Sequence, residues 1–233
     1  MSKQAPSFHP DNRNWRLHYA DHYRGYAVLC NNPDHGALIQ NQLDRLIDLF
    51  ERVRHNNQRT LAVRFDLYIP NDPNLSDLDH DSRRLKRFWR NLNSELEAAR
   101  LANPPKLEYA WAREIGSTAH KTHFHMLIFL DANSINSLGS PAPSPDHTYA
   151  DSTLAHRIIR SWLAALDYPP VYRVGNLINF QKEPHDQTLK TIKLTKSNDQ
   201  GWHDLFYLAS YLCKSSTKEG QRRDVRTFET SRA

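Results

Sequence analysis

Leu107 to Leu130 reads LEYAWAREIGSTAHKTHFHMLIFL, and this stretch decides the fold. Two runs rich in aromatic and aliphatic residues, LEYAWAREI and THFHMLIFL, flank the short polar segment GSTAHK. That layout predicts an antiparallel β-hairpin. Side chains alternate along a strand, so Phe124, Met126, Ile128 and Leu130 form one wholly apolar face. His123 and His125 open the other face. Residues i and i+2 of a strand lie roughly 6.5–7 Å apart, and two imidazoles so placed can converge on one ion at about 2.0–2.1 Å per bond. Alone, such a pair is more often two hydrogen-bonded histidines than a ligand set. Glu114, at the end of the preceding run, is the group that the hairpin would bring beside them. A carboxylate with two imidazoles makes a mixed site for Mg²⁺, Mn²⁺ or a transition metal.

Outward from the hairpin, TLAVRFDLYIP predicts a strand stopped by Pro70. Its faces are Leu61, Val63, Phe65, Leu67, Ile69 and Ala62, Arg64, Asp66, Tyr68. Helical spacing of Ile39, Leu43, Leu46, Phe50 and Val53 predicts a helix over 36–54. A second helix over 78–101, with a capping box at Ser76 and Asp79, turns Leu85, Phe88, Leu92, Leu96 and Ala99 inward. It ends before Pro104–Pro105. Further helices are expected over 150–166 and 202–218, with a short strand in VYRVGNLINF. Residues 181–200 show no clear pattern. Mixed order around a central hairpin gives an α+β class: a single domain with a central, largely antiparallel sheet flanked by helices. The expected boundaries are an irregular arm over 1–35, the domain over 36–220 and a basic tail over 221–233.

The chain of 233 residues suits one such domain. No apolar run approaches the roughly 18 residues that a membrane helix needs, and the first residues lack the apolar core of a signal peptide. Cys30 and Cys213 lie too far apart in sequence to suggest a structural disulfide, which fits a reducing interior. A net charge of +5 favours a polyanionic partner only if the charge clusters. Arg83, Lys86, Arg87 and Arg90 form one basic stripe on the second helix, and Arg222, Arg223 and Arg226 another group near the end. Each reads either as a track for a DNA backbone or as a solvated face.

On the last helix, a repeat of about 100° per residue places Tyr207, Tyr211, Lys214 and Lys218 in one stripe. Leu205, Leu208, Ala209 and Leu212 face elsewhere. Tyrosines beside an apolar face with lysines at its rim are common without any chemistry. The functional alternative is a nucleophile. A free tyrosine has a pKa of about 10, and a nearby lysine or cation favours its phenolate. A cation would also polarise a phosphoryl oxygen. The two motifs complement each other as a phosphoryl-transfer site.

RFDLYIP, then AWAREIG…HFHMLIFL, then SYLCKSSTK resemble, in that order, the three motifs of the HUH endonucleases, the rolling-circle replication initiators. More closely they resemble the inovirus gene-two-protein family, related to the YagK/YfjJ C-terminal-domain proteins of prophages. The resemblance covers roughly residues 40–220 and implies a metal-dependent endonuclease of palm-like fold. A tyrosine would attack single-stranded DNA, leaving a 5′-phosphotyrosyl bond and a free 3′-hydroxyl. Carried over by motif, His123, His125 and Glu114 hold a divalent cation, Mg²⁺ or Mn²⁺. Tyr211 is the nucleophile and Lys214 its partner. Tyr207 matches the first tyrosine of two-tyrosine initiators, although Ser210 replaces the lysine that often follows it. Asp66 supports the site and contacts DNA, and Lys218 joins the DNA-binding set. The implied partners are single-stranded DNA at a replication origin and a host helicase and polymerase, in the cytoplasm of a bacterial host. No P-loop motif is present to supply unwinding. A second reading is an inactive DNA-binding regulator of a phage or prophage element on the same fold.

Overall fold

The computed structural model describes residues 6–30, 36–70, 78–101, 104–115, 122–170, 174–182, 185, 189–218 and 225–232. Its elements run β1 (Phe8–His9), β2 (Asn12–His18), β3 (His22–Tyr23), β4 (Tyr26–Ala27), β5 (Leu38–Ile39), α1 (Gln40–Asn56), β6 (Arg59–Tyr68) and α2 (Leu78–Glu97). Then come β7 (Glu108–Ile115), β8 (Thr122–Asp131), α3 (Leu154–Ala165), β9 (Ile178–Phe180), β10 (Thr191–Thr195), α4 (Asp199–Ala209) and β11 (Phe228–Thr230). Two short 3-10 turns, Ser210–Cys213 and Ser216–Lys218, follow α4.

The main sheet has the order β10-β6-β8-β7-β11, and β9 shares the outer edge of β6 with β10. Every pairing in it is antiparallel. This is a single α+β domain with helices on both faces. Alternation along β6 and β8 divides the core. Leu61, Val63, Phe65, Phe124, Met126 and Ile128 pack under α2 and α3. Ala62, Leu127 and Phe129 pack under α1 and α4. Ala110 and Ala112 of β7 join that second face, and both are fully buried. Such small side chains let α1 and the turn after α4 approach the sheet backbone.

On the first face Arg113 is buried and donates to Asp81 at 2.6 Å, while Arg84 holds the other oxygen of Asp81 at 3.0 Å. Arg113 is therefore a structural tie between β7 and α2. Trp111 is buried, and the ring of Tyr109 stacks on Trp89 with centroids 3.9 Å apart.

Several expectations are corrected. The segment before α1 is not irregular where it is described. β1, β2 and β5 form a three-stranded sheet, and β3 and β4 a small hairpin. The unpatterned stretch 181–200 contains β10, an edge strand with its side chains mostly part-exposed. Half exposure is what blurred its alternation. The tail contains β11, which pairs with β7. The helix expected over 202–218 begins earlier, capped by Asn198 whose side chain accepts from Gly201 N, and stops at Ala209. The GSTAHK loop, Ser76 of the capping box, and Arg222 and Arg223 lie outside the described residues. Among the described residues no helix is long and apolar enough to cross a membrane.

Candidate metal and nucleophile site

Register builds the site. In the β7–β8 pairing Glu114 stands opposite His123, and in the β6–β8 pairing Asp66 stands opposite His125. Three neighbouring strands thus set four ionisable groups in a row on the α1/α4 face. Glu114 Oε2 lies 3.4 Å from His123 Nε2 and 3.0 Å from His125 Nε2. The two imidazoles meet edge to face, with centroids 4.8 Å apart. Tyr68 stacks on the outer face of His123 at 5.5 Å.

Asp66 is buried, and its Oδ1 accepts from His125 Nδ1 at 2.6 Å. An ionised carboxylate only accepts, so the proton sits on Nδ1 and the lone pair of the neutral ring sits on Nε2. That nitrogen is buried without a hydrogen-bond partner and faces Glu114 Oε2. Two acceptors 3.0 Å apart repel unless a proton or a cation reconciles them. One ligand atom from each of Glu114, His123 and His125 lies within 4.8 Å of the others. Among the described residues this is the one such cluster, and it fits a divalent cation. A carboxylate–histidine–metal arrangement, with the outer carboxylate fixing the ring, is the usual way such a ligand is oriented.

The ionisation states agree with this crowding. Burial pushes Glu114 up, but its close pairing with the His123 and His125 imidazoles outweighs it and holds the carboxyl far below its ordinary value. Burial lowers His125, yet Asp66 and Glu114 more than offset that, and its net shift is upward.

The end of α4 delivers the tyrosine. Ser210 Oγ donates to Tyr207 O at 2.7 Å and accepts from Leu29 N at 2.9 Å. The serine that departs from the two-tyrosine pattern therefore has a buried structural task, one that a lysine could not perform there. The chain tightens into a 3-10 turn, and Lys214 leaves it in an extended conformation, bridged to Leu38. Ser215 N donates to Ala37 O at 2.9 Å, and His9 Nε2 lies 3.3 Å from Ser215 O. Residues from before α1 thus clasp both ends of the turn.

This geometry breaks the expected stripe. Tyr211 is half-buried, its ring edge-on to His125 with centroids 5.2 Å apart. Lys214 Nζ lies 5.4 Å from the centre of the Tyr211 ring, and the Arg64 guanidinium 5.2 Å from it. Burial pushes the Tyr211 hydroxyl up to about 12, with Glu114 adding to the rise and Arg64 opposing it. Tyr207 instead faces solvent, 40% exposed.

Two DNA-binding expectations are corrected by burial. Lys218 is only 1% exposed, and its Nζ donates to Leu212 O at 2.9 Å and Lys214 O at 2.7 Å. It stitches the turn together and presents no charge to a ligand. Burial pulls its pKa down to about 8. Asp66 is 4% exposed, and its two oxygens are taken up by His125 and Gln181. The basic stripe Arg83, Lys86, Arg87 and Arg90 lies on α2, which packs on the opposite face of the sheet from the histidines. Arg83, Lys86 and Arg90 are exposed, but Arg87 is engaged by Asp167 at 2.5 Å and by Ala164 O. The stripe does not line the site.

Sequence reasoning assigned no role to Arg64, Tyr68 or Gln181. Arg64 and Tyr68 share strand parity with Asp66, so alternation alone would have flagged them. Gln181, whose Nε2 donates to Asp66 Oδ2 at 2.9 Å, follows a short edge strand and carries no such signal.

No curated protein and no solved structure matches the chain. The YagK/YfjJ C-terminal domain family matches residues 21–231, a span that takes in the cation cluster, the tyrosine turn and part of the clasp, and the chain belongs to that family.

Proposed function

We propose that the protein nicks and rejoins single-stranded DNA, with Tyr211 as nucleophile and a divalent cation, Mg²⁺ or Mn²⁺, held by Glu114, His123 and His125. One observation carries this reading: the 3-10 turn sets the Tyr211 ring against His125, beside the three residues able to hold an ion. The resemblance to HUH endonucleases and their palm-like fold supports it. When bound, the cation would polarise a phosphoryl oxygen and offset the charge that develops there.

Tyr211 Oη attacks phosphorus, and its new bond to phosphorus forms as the P–O3′ bond breaks. The products are a 5′-phosphotyrosyl linkage and a 3′-hydroxyl, the tyrosine proton passing overall to the departing 3′-oxygen. Lys214 favours the phenolate by its charge. Glu114 and Asp66 keep the imidazoles in place. Rejoining is the reverse, with a 3′-hydroxyl attacking the phosphotyrosine. The 3′-hydroxyl suits extension by a host polymerase, and a host helicase would supply unwinding at the origin of a phage or prophage element.

The test is a covalent-adduct assay. Protein incubated with labelled single-stranded origin DNA and Mn²⁺ should carry label through denaturing electrophoresis. EDTA or Tyr211→Phe should remove it. An adduct that survives Tyr211→Phe would assign the nucleophile elsewhere.

A further inference from the structure

Between β6, β10 and α4 lies a cavity of about 250 Å³, reached by Leu212 of the tyrosine turn and by Arg64, whose guanidinium lies over the Tyr211 ring. It is smaller than the roughly 300–1,000 Å³ of sites for drug-sized ligands, and suits a single ring system. Its floor is aliphatic, supplied by Leu127, Ile192, Leu205 and Leu208. Its polar edge carries Arg64, Lys182, Lys190 and Gln181, and no carboxylate lines it among the described residues. Apolar walls below a rim of three basic side chains and one amide complement a flat ring body carrying negative charge.

Two of the edge residues are tied to the cation and tyrosine site. Gln181 donates to Asp66, the partner of His125, which fixes its side chain and leaves its carbonyl oxygen as an acceptor. Arg64 lies over the Tyr211 ring, yet its Nε is buried without a hydrogen-bond partner. Among the described residues its guanidinium forms no ion pair. An arginine fork that is partly desolvated and uncommitted is a costly feature unless an anion completes it. That anion belongs beside Tyr211, where a phosphate would react.

We propose that this cavity receives the base of the nucleotide adjoining the scissile phosphate, and that Arg64 grips that phosphate over Tyr211. The inference rests on the reading of the chain as a single-stranded DNA nickase and names how that substrate is seated. The base leaves the strand and enters the aliphatic pocket, as bases do in enzymes that hold an unstacked nucleotide. Gln181 offers an acceptor to its edge. Lys182 and Lys190 lie where the flanking backbone would pass.

The experiment uses full-length protein carrying Tyr211→Phe, so that binding is read without chemistry. Anisotropy of a fluorescent single-stranded origin oligonucleotide is measured for this parent and for added Leu208→Trp, Arg64→Ala and Arg64→Lys. Leu208→Phe, a smaller plug, replaces Leu208→Trp if the latter fails to fold by circular dichroism. Filling the cavity should weaken binding about tenfold, the scale of losing one base contact. Arg64→Ala should do likewise, with partial recovery by lysine. An oligonucleotide abasic at one position should bind parent and plugged protein equally. Plugged protein that binds as well as its parent overturns the proposal, and so does an absence of DNA binding altogether. If wild type forms the adduct but plugging changes nothing, the subsite fails while the nickase reading stands. If plugging and the abasic site behave as expected but no adduct forms, the cavity stands as a base-binding subsite, while the nickase reading, and with it the placing of a scissile phosphate over Tyr211, fails.

Discussion

Asp66 and His125 face each other across β6 and β8, and their side chains meet in a hydrogen bond of 2.6 Å. The bond settles which imidazole nitrogen is left for a cation. Asp66→Ala removes that control while leaving all three ligand side chains in place. Mn²⁺ affinity, measured by isothermal titration calorimetry, should fall about 10–100-fold. An unchanged affinity would mean that Asp66 does not orient the ligand.

Protons and cations compete for His125. The net upward shift of its pKa in the cation-free protein means that the folded state holds the proton more tightly than the unfolded chain, whose value is near 6.5. Its contribution to stability is full below about 6.5 and is lost as pH rises through the raised folded value. A cation needs the neutral ring, so its affinity moves the other way and increases with pH over the same window. Calorimetry in buffers of differing ionisation enthalpy should show proton release on Mn²⁺ binding at neutral pH. Binding that is independent of both pH and buffer would count against ligation by this histidine.

The two tyrosines should separate cleanly. Tyr211→Phe should abolish covalent attachment to DNA. Tyr207→Phe, on an exposed surface, should leave attachment within a factor of about two. Equal losses from both would indicate that Tyr207 enters the reaction after all.

Lys218 should matter for stability without touching DNA. Lys218→Met leaves Leu212 O and Lys214 O without their donor, and an unmet buried group costs about 1–3 kcal/mol. For two such groups the gross loss is about 2–6 kcal/mol, and urea unfolding at neutral pH should show a smaller net loss because the buried charge is removed as well. The folded pKa is about 8 against 10.5 unfolded, so between these values the unfolded chain binds more protons and native stability rises with pH. In Lys218→Met that rise should disappear. Lys218 would be a surface residue after all if the variant lowered DNA affinity but melted like wild type.

On the far face of the sheet, Asp81→Ala leaves the Arg113 charge buried without its carboxylate. Breaking a buried pair in this way costs about 3–5 kcal/mol. Thermal melting should show the loss, and cation affinity should change little because Arg113 points away from Glu114.

The central strands were legible because they are buried on both sides and their alternation is unbroken. TLAVRFDLYIP and THFHMLIFL declare their faces directly, and hairpin parity brings Glu114 within reach of His123. β10 was hidden for the opposite reason, since an edge strand keeps polar residues on a half-wet surface, and β11 because three residues are too few to show an alternation. The break after Ala209 was not legible at all. It depends on Ser210 meeting Leu29, which is distant in sequence, and no local propensity reports such a contact. Lys218 misled because a lysine is so rarely buried. The roles of Asp66 and Arg64 needed the register between β6 and β8 and the position of the turn.

The clasp on the tyrosine turn also bears on the order in which the molecule matures. Leu29, Ala37 and Leu38, which grip it, emerge from the ribosome long before Tyr211 does, and domains begin to fold from the N-terminal side during synthesis. Contacts of such sequence separation form late, since loop closure comes first at an entropic cost. A nascent chain can therefore assemble the histidine pair on its sheet while Tyr211 is still absent. On the proposed function, reactivity toward DNA would arrive only when the last helix docks into a seat already built, and unfinished chains would be chemically silent.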